Sequence, residues 1–280
     1  MNIKLIATDV DGTLVADDHL TIPPINIESI SMAKEKGIKV AISTGRPYSL
    51  TDRETAVLGG VDYLILSNGA VIVDAKTLEV IYSCYLSLEA FEKIMKAMEK
   101  YPIVYEIYAD CQGYITRYTY DHYLEVEGLP QIFLEDYRKR MILCDSPWDL
   151  LGKKNIEKVN IDHMPKEYVQ PLLEELKGIP GLVYSAGYSG NMEITKEGAD
   201  KGKALAWLAD KVGVGPENIM AFGDSANDAT MLQYAGYSYA MENGNQKAKD
   251  SARYATEFGN NEGGVGQTIK NYLTLTNTKK

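Results

Sequence analysis

Asp9 and Asp11 stand two residues apart where an apolar run ends, in the stretch LIATDVDGTL from Leu5 to Leu14. Residues i and i+2 of an extended segment share a face, so the two carboxylates can converge on one centre, and Gly12 lets the backbone turn sharply behind them. Such a pair can supply a nucleophile, a proton donor and acceptor, and oxygen ligands for a cation. An Asp-rich turn after a strand can also be merely solvated, so the pair needs company. In KVAISTGRP, from Lys39 to Pro47, a second apolar run ends at Thr44, Gly45 and Arg46. Thr44 could cap a helix, or offer its hydroxyl and backbone N–H to an anion at a helix start. In DKGKALAWL, from Asp200 to Leu208, Lys201 opens an amphipathic helix with Leu205, Leu208 and Val212 on one face. In NIMAFGDSANDATML, from Asn218 to Leu232, a third apolar run enters Gly223, Asp224, Ser225, Asn227 and Asp228.

In type and order these stretches resemble the four motifs of the haloacid dehalogenase (HAD) superfamily of phosphotransferases, DxDGT first and GDxxND last. The long stretch between Thr44 and Lys201 puts the large insertion between motifs two and three, as in the class II, C2-capped branch. STGRP, SNGA, GADKGKAL and GDSANDATML are similar to the Cof-type sugar phosphatases of class IIB. The resemblance implies an α/β fold: a Rossmann-like HAD core with a parallel sheet, residues 1–85 and 191–280, plus an inserted α/β C2-type (IIB) cap, residues 86–190. It implies a phosphatase for phosphate monoesters, sugar phosphates above all, working through an aspartyl-phosphate. Asp9 would be the nucleophile and Asp11 the general acid/base. Thr44, Gly45, Lys201 and Asn227 would hold the phosphate. Asp9, the carbonyl of Asp11 and Asp224 would bind metal, with Ser225 and Asp228 behind them. Four acids (Asp9, Asp11, Asp224, Asp228) against one lysine call for a hard divalent ion, and oxygen-only ligands favour Mg²⁺. Arg46, Asn68, Gly69, Tyr114 and Arg117 are candidate substrate contacts, with His122 a further cap position. Later stretches, AMENGNQ and NNEGGVG, depart from the family's usual turns at no catalytic position.

Elements that would position these residues alternate strand and helix, as a parallel sheet requires. Pro23 and Pro24 precede a helix with Ile27, Ile30 and Ala33 inward, ended by Gly37. Val15–Thr21 is expected as a hairpin flap, Tyr63–Leu66 as a strand ending at Asn68 and Gly69, and Val71–Tyr82 as a hairpin. In the insertion, a helix over Leu88–Met98 leads to strands at Ile103–Ala109 and Tyr114–Tyr118 around a Cys111–Gly113 turn. A strand at Lys158–Ile161, a helix through Val169–Leu176 and strands at Leu182–Ser185 and Met192–Thr195 follow, with return to the core near Glu193. With 280 residues and a net charge of −10, the chain can bury two cores and carries no basic stripe for nucleic acid. No apolar run approaches a membrane span or signal segment, which points to the cytoplasm. Cys84, Cys111 and Cys144 read as packing residues. His19, His122 and His163 lie outside every motif, which argues against zinc or a histidine-based triad. Monomer and homodimer are both open. A phosphomutase, since phosphomannomutases carry a similar cap and opening motif, and a catalytically silent binding protein are the other classes.

Overall fold

The computed structural model describes residues 2–186 and 191–277. In chain order its strands are β1 (Leu5–Thr8), β2 (Lys39–Ser43), β3 (Tyr63–Leu66), β4 (Val71–Asp74), β5 (Val80–Ser83), β6 (Val104–Ala109), β7 (Gln112–Thr116), β8 (Ile142–Cys144), β9 (Ile156–His163), β10 (Leu182–Ala186), β11 (Met192–Lys196), β12 (Ile219–Gly223), β13 (Tyr237–Ala240) and β14 (Tyr254–Ala255). They form an eight-stranded sheet ordered β14-β13-β12-β1-β2-β3-β4-β5 and a six-stranded sheet ordered β10-β11-β9-β6-β7-β8. The chain divides into two compact units, residues 1–46, 51–82 and 200–280, and residues 47–50 and 83–199.

In the first unit, β14 to β3 pair parallel and β4 runs antiparallel to β3. Every residue of β1 and of β12 is buried, the pattern of a sheet covered on both faces. Full burial of a side chain such as Leu5 contributes about 2 kcal/mol. Ten helices occur among the described residues. Pro24 opens α1 (Pro24–Glu35) at a first-turn position that needs no N–H donor. Its buried side chains are Asn26, Ser29, Ile30 and Ala33, with Ile27 only partly covered. After α2 (Asp52–Val57), α3 (Leu88–Met98), α4 (Arg117–His122), α5 (Gln131–Arg140) and α6 (Lys166–Lys177), the chain reaches α7 (Lys201–Val212), which Asp200 caps by accepting from the Lys203 N–H at 2.8 Å. Gly213, at φ 68, ends α7. Leu205 and Leu208 of α7 join Leu5, Ala41, Ile65 and Ile219 in the core, whereas Val212 packs at its margin. The short helices α8 (Ala229–Tyr234) and α9 (Gln246–Ser251) precede α10 (Gly264–Asn277).

The second unit is built on antiparallel pairs, except that β7 and β8 run parallel. One face of its sheet, with Ile107, Ala109, Val159, Ile161 and Ile194, packs with Phe91 and Ile94 of α3 and Leu172 and Leu176 of α6 in a single apolar cluster. By the two-residue period of a strand, Glu106, Tyr108, Lys158 and Asn160 face the other way. Leu50, following the STGRP stretch, packs here as well: Ser49 N donates to the Cys111 carbonyl at 3.1 Å, and Gly113 N donates to Ser49 Oγ at 3.2 Å. No helix of the described residues is long and apolar enough to cross a membrane.

Several expectations change. The boundary at 190 and 191 falls at 187–190, outside the described residues, and β11 beyond it pairs with both β9 and β10, so the second unit runs to Ala199. Val15–Thr21 forms turns without strands, although Ala16 N does donate to the Thr21 carbonyl at 2.8 Å. The β6–β7 turn is at Asp110 and Cys111, both with positive φ, and β7 ends at Thr116, whose hydroxyl caps α4 by accepting from Thr119 N. Arg117 and Tyr118 are therefore helical. The three cysteines are free and only half-buried.

Candidate active site

The registers of the central strands decide where the functional side chains emerge. Thr8 of β1 lies opposite Phe222 of β12 and Ile42 of β2, so Asp9, Ser43–Thr44 and Gly223–Asp224 leave the sheet together at its carboxyl edge. There Asp9, 5% exposed, places a carboxylate oxygen 2.9 Å from Lys201 Nζ. The fully buried Asp228 takes a second contact from the same ammonium at 2.7 Å. Asp228 Oδ2 accepts the backbone N–H groups of Asp224 and Ser225, each at 3.0 Å. Oxygen atoms of Asp9, Asp224 and Asp228 lie within 4.8 Å of one another.

Close packing makes this arrangement intolerant of bulk. A Cβ on Gly12, at φ 69, would fall 2.6 Å from Asp224 Oδ2, and one on Gly223 would fall 2.5 Å from Asp228 Cβ. Thr13 donates its hydroxyl to Asp224 Oδ1 at 3.0 Å, and Asn243 holds the Gly12 carbonyl at 2.8 Å. Burial, then the charge of Asp228, pushes the Asp224 carboxyl up to about 7; burial, Asp228 and Asp224 also drive Asp9 well above the carboxylate range despite Lys201. Burial alone would lower Lys201, but Asp228 and Asp9 outweigh it and raise the ammonium above its ordinary value. Two buried acids and the half-buried Asp224 thus cluster around one cation, the environment in which an additional cation is strongly favoured. Asp228 has both oxygens engaged. Asp9 and Asp224 remain as outward ligands, and their hard oxygen donors suit a hard divalent ion.

Asp11 belongs to a different network. The guanidinium of Arg46 grips it with two prongs, Nε to Oδ2 at 2.8 Å and Nη2 to Oδ1, and His19 Nδ1 meets Oδ1 at 2.7 Å. Burial would raise the Asp11 carboxyl, but Arg46 and His19 hold it well below the usual range. Arg46 is braced in turn by the buried Glu54 at 3.2 Å. Asp11 has its own cation, so Lys201 contacts two acids, Asp9 and Asp228, with Asp224 beside them.

Other expected contacts are placed differently. Thr44 does not stand at a helix start: its N–H donates to the Ile65 carbonyl at 2.8 Å and its Oγ1 accepts from Arg46 N at 3.2 Å, while α2 begins only at Asp52. Its hydroxyl proton is still available. Gly45 is partly exposed between them. Arg46, 4% exposed, is occupied by Asp11 and Glu54 rather than offered to a substrate. Asn68, at φ 58, accepts from Asn227 Nδ2 at 3.1 Å, and Asn227 Oδ1 accepts from Ser225 Oγ at 2.6 Å. Gly69 is a packing requirement, because a Cβ there would lie 2.4 Å from the Asp200 carbonyl oxygen. Tyr114 is buried in the apolar cluster of the second unit, so it packs. Arg117 is exposed and pairs loosely with Asp121 at 4.0 Å, and His122 stacks on Tyr118 at 4.2 Å. Sequence reasoning missed Thr13, His19, Glu54 and Asn243. Thr13 lies inside the first motif and His19 on the expected flap, which were usable signals; Glu54 had none.

The model of the haloacid dehalogenase-like hydrolases matches residues 6–269. The chain belongs to this family. Among its relatives, the 5-amino-6-(5-phospho-D-ribitylamino)uracil phosphatase YcsE of Bacillus subtilis is 29% identical over 98% of this chain and 97% of that protein. A solved haloacid dehalogenase-like hydrolase from B. subtilis superposes with a TM-score of 0.83 at 26% identity, covering 96% of this chain and 99% of that one. The HAD subclass IIB sugar phosphatase BT4131 shares the fold at a TM-score of 0.76 and 24% identity, covering 96% and 98%. The protein is a phosphatase of the HAD family, with a Rossmann-like core and a IIB-type cap.

Proposed function

We propose that this HAD phosphatase hydrolyses sugar or polyol phosphate monoesters in a Mg²⁺-dependent reaction through an aspartyl-phosphate on Asp9. The observation that carries the reading is the buried Asp9 carboxylate held between Lys201 and a second outward acid, Asp224, with one ammonium against three carboxylates. Asp9, the Asp11 carbonyl and Asp224 would hold the metal, while Asp228 fixes Lys201 and the loop amides. When bound, the cation would offset charge on the phosphoryl group and orient it toward Asp9.

An Asp9 oxygen attacks phosphorus, the P–O bond to the alcohol breaks, and Asp11, once it has taken up a proton that the Arg46 and His19 contacts otherwise oppose, gives that oxygen a proton. Water then adds to the phosphorus of the acyl-phosphate while Asp11 takes back a proton, releasing phosphate and restoring Asp9. Lys201 has three N–H groups, two of them directed at Asp9 and Asp228, which leaves one for a phosphate oxygen. The Thr44 hydroxyl, Gly45 and the Asn227 amide complete the phosphate cradle. The first unit serves as catalytic core and the second as the cap that selects the leaving group. The phosphoribitylamino substrate in the name of YcsE supports a polyol phosphate class.

The test is a phosphate-release screen over sugar, polyol, nucleotide and aryl phosphates with chelator, Mg²⁺ or Ca²⁺. Release should require Mg²⁺ and fail with Ca²⁺, whose looser coordination misplaces the nucleophile. Metal-independent release refutes the reading, and isomerised sugar phosphate without free phosphate would assign a mutase instead.

A further inference from the structure

His19 lies outside every motif, yet its ring meets Asp11, a carboxylate of the site that does not contact Lys201. It sits on the turn between β1 and α1 with φ 57, a left-handed conformation uncommon for a side-chain-bearing residue. That turn is fixed from both sides. Asp18 accepts from the backbone N–H groups of Leu20 and Thr21 at 2.9 and 2.8 Å. Asp17 is tied to Asn260 and Asn261 at 2.9 and 2.7 Å. The result directs His19 Nδ1 to Asp11 Oδ1 at 2.7 Å, while the His19 carbonyl accepts from Arg46 Nη2 at 3.2 Å. Opposite an ionised carboxylate, Nδ1 has to carry the proton.

Arg46, His19 and Asp11 therefore form a closed triangle. Arg46 reaches both oxygens of Asp11 and the carbonyl of His19, and the imidazole closes the third side. Arg46 is held on its far side by the buried Glu54 at 3.2 Å, an acid that Arg53 also meets at 3.5 Å. A lone carboxylate on a loop turns freely about χ1 and χ2, and this one does not.

We propose that His19 is a positioning residue for Asp11: together with the Arg46–Glu54 strut it fixes the carboxylate that exchanges the proton with the leaving group. This rests on the reading of Asp11 as general acid/base. In the first step, positioning for proton transfer matters only when the departing oxygen needs a proton, so its signature is leaving-group dependence in the single-turnover release of the alcohol; the later proton uptake from water is common to all esters. A role confined to folding or to phosphate binding would affect all esters alike.

Three variants of the full chain separate these cases: Asp11→Asn as reference, His19→Gly, which removes the ring where the backbone already favours glycine, and His19→Asn, whose amide N–H stands close to the position of Nδ1 and tolerates the same φ. The single-turnover rate of alcohol release is measured with Mg²⁺ on p-nitrophenyl phosphate and on the best alkyl phosphate of the screen, together with KM. For His19→Gly, the single-turnover rate of alcohol release from the alkyl ester should fall roughly 10–100-fold, with less than about threefold loss on the nitrophenyl ester, and KM should change little. His19→Asn should regain most of the alkyl rate. Equal losses on both esters, no loss on either, or an Asn variant as slow as the Gly variant overturns the proposal. If Asp11→Asn itself slows the single-turnover release of alcohol equally from both esters, the acid/base reading fails and the proposal falls with it.

Discussion

Two buried charged clusters, one in each unit, are assembled on opposite logic. In the first unit, Asp9, Asp224 and Asp228 stand at strand ends and loop starts, glycines forbid bulk beside them, and a single ammonium stands among three acids. In the second, Glu106 lies mid-strand with Asn160, Asp162 and Lys158 along the neighbouring strand. There most donors are provided: Tyr108 and Tyr123 give their hydroxyls to the two oxygens of Glu106, Asn160 donates to Asp162 Oδ1 at 2.7 Å, and Lys158 pairs with Glu193 at 2.6 Å, while Asp162 Oδ2 is left without a hydrogen-bond partner among the described residues. A cluster short of cations invites a ligand. One supplied with neutral donors and its own ammonium holds its sheet together. The count of compensating donors, rather than the presence of buried acids, distinguishes chemistry from architecture.

If this contrast is right, the largest effect lies at Asp9. Asp9→Asn should lower steady-state phosphate release by more than about a thousandfold while leaving the circular dichroism and melting profile close to those of the parent, because the amide is a poor nucleophile. Retention of a few per cent of the parental rate, with contaminating phosphatase excluded, would end the nucleophile assignment. The corresponding change in the second unit, Glu106→Gln, should leave turnover of an aryl phosphate within about twofold.

A smaller effect should separate the clusters by their response to metal. Saturating Mg²⁺, at about a hundred times its dissociation constant, should stabilise the chain by roughly 2.7 kcal/mol, read as slower hydrogen exchange in β1 and β12. Asp224→Asn should abolish most of that gain. Protection appearing instead in β6 and β9 would place the cation in the wrong cluster.

The first unit was far more legible in the sequence than the second, for a physical reason. Its strands β1, β2 and β12 are continuous apolar runs that stop at polar residues, and α7 begins where Lys201 follows its capping Asp200. These are local signals. The pairing of Arg46 with Asp11 is not: an arginine beside a proline in a loop does not announce which of four nearby acids it will grip, and the contact with His19 depends on a left-handed turn. In the second unit, Tyr114 looked available to a substrate because a strand tyrosine can point either way, and only pairing with β6 and β8 shows it in the apolar layer. The return to the core was expected near Glu193, inside β11, because a strand-like sequence does not say which sheet it joins; its pairing with both β10 and β9 keeps it in the second unit.

Removing a single donor from the second cluster should cost stability without touching chemistry. Tyr123→Phe strips one hydroxyl from Glu106 and should destabilise by about 1–3 kcal/mol, the usual consequence of leaving a buried polar atom unpaired. Thermal melting monitored together with kcat on p-nitrophenyl phosphate would show the melting point falling and kcat unchanged. A loss of kcat with unchanged stability would reverse the roles assigned to the two clusters.

The least conspicuous effect should be a slope with pH. Burial raises the carboxyls of Glu106 and Asp162, in Glu106 against the pull of the Tyr108 and Tyr123 hydroxyls, and in Asp162 with the charge of Glu106 adding to it. A raised carboxyl binds its proton more tightly in the folded chain than in the unfolded one. Its stabilising contribution is then fully present below the ordinary carboxylate range and is lost as pH rises through the folded value. Hydrogen exchange in β6 and β9, corrected for its intrinsic pH dependence, should report stability that declines from mildly acidic pH upward, and Glu106→Gln should flatten that decline by removing one titrating group. If the parental stability of these strands instead rises with pH through this window, Glu106 and Asp162 are held as carboxylates by stronger donors than the phenols and the lysine, and the second cluster is as charge-dense as the first.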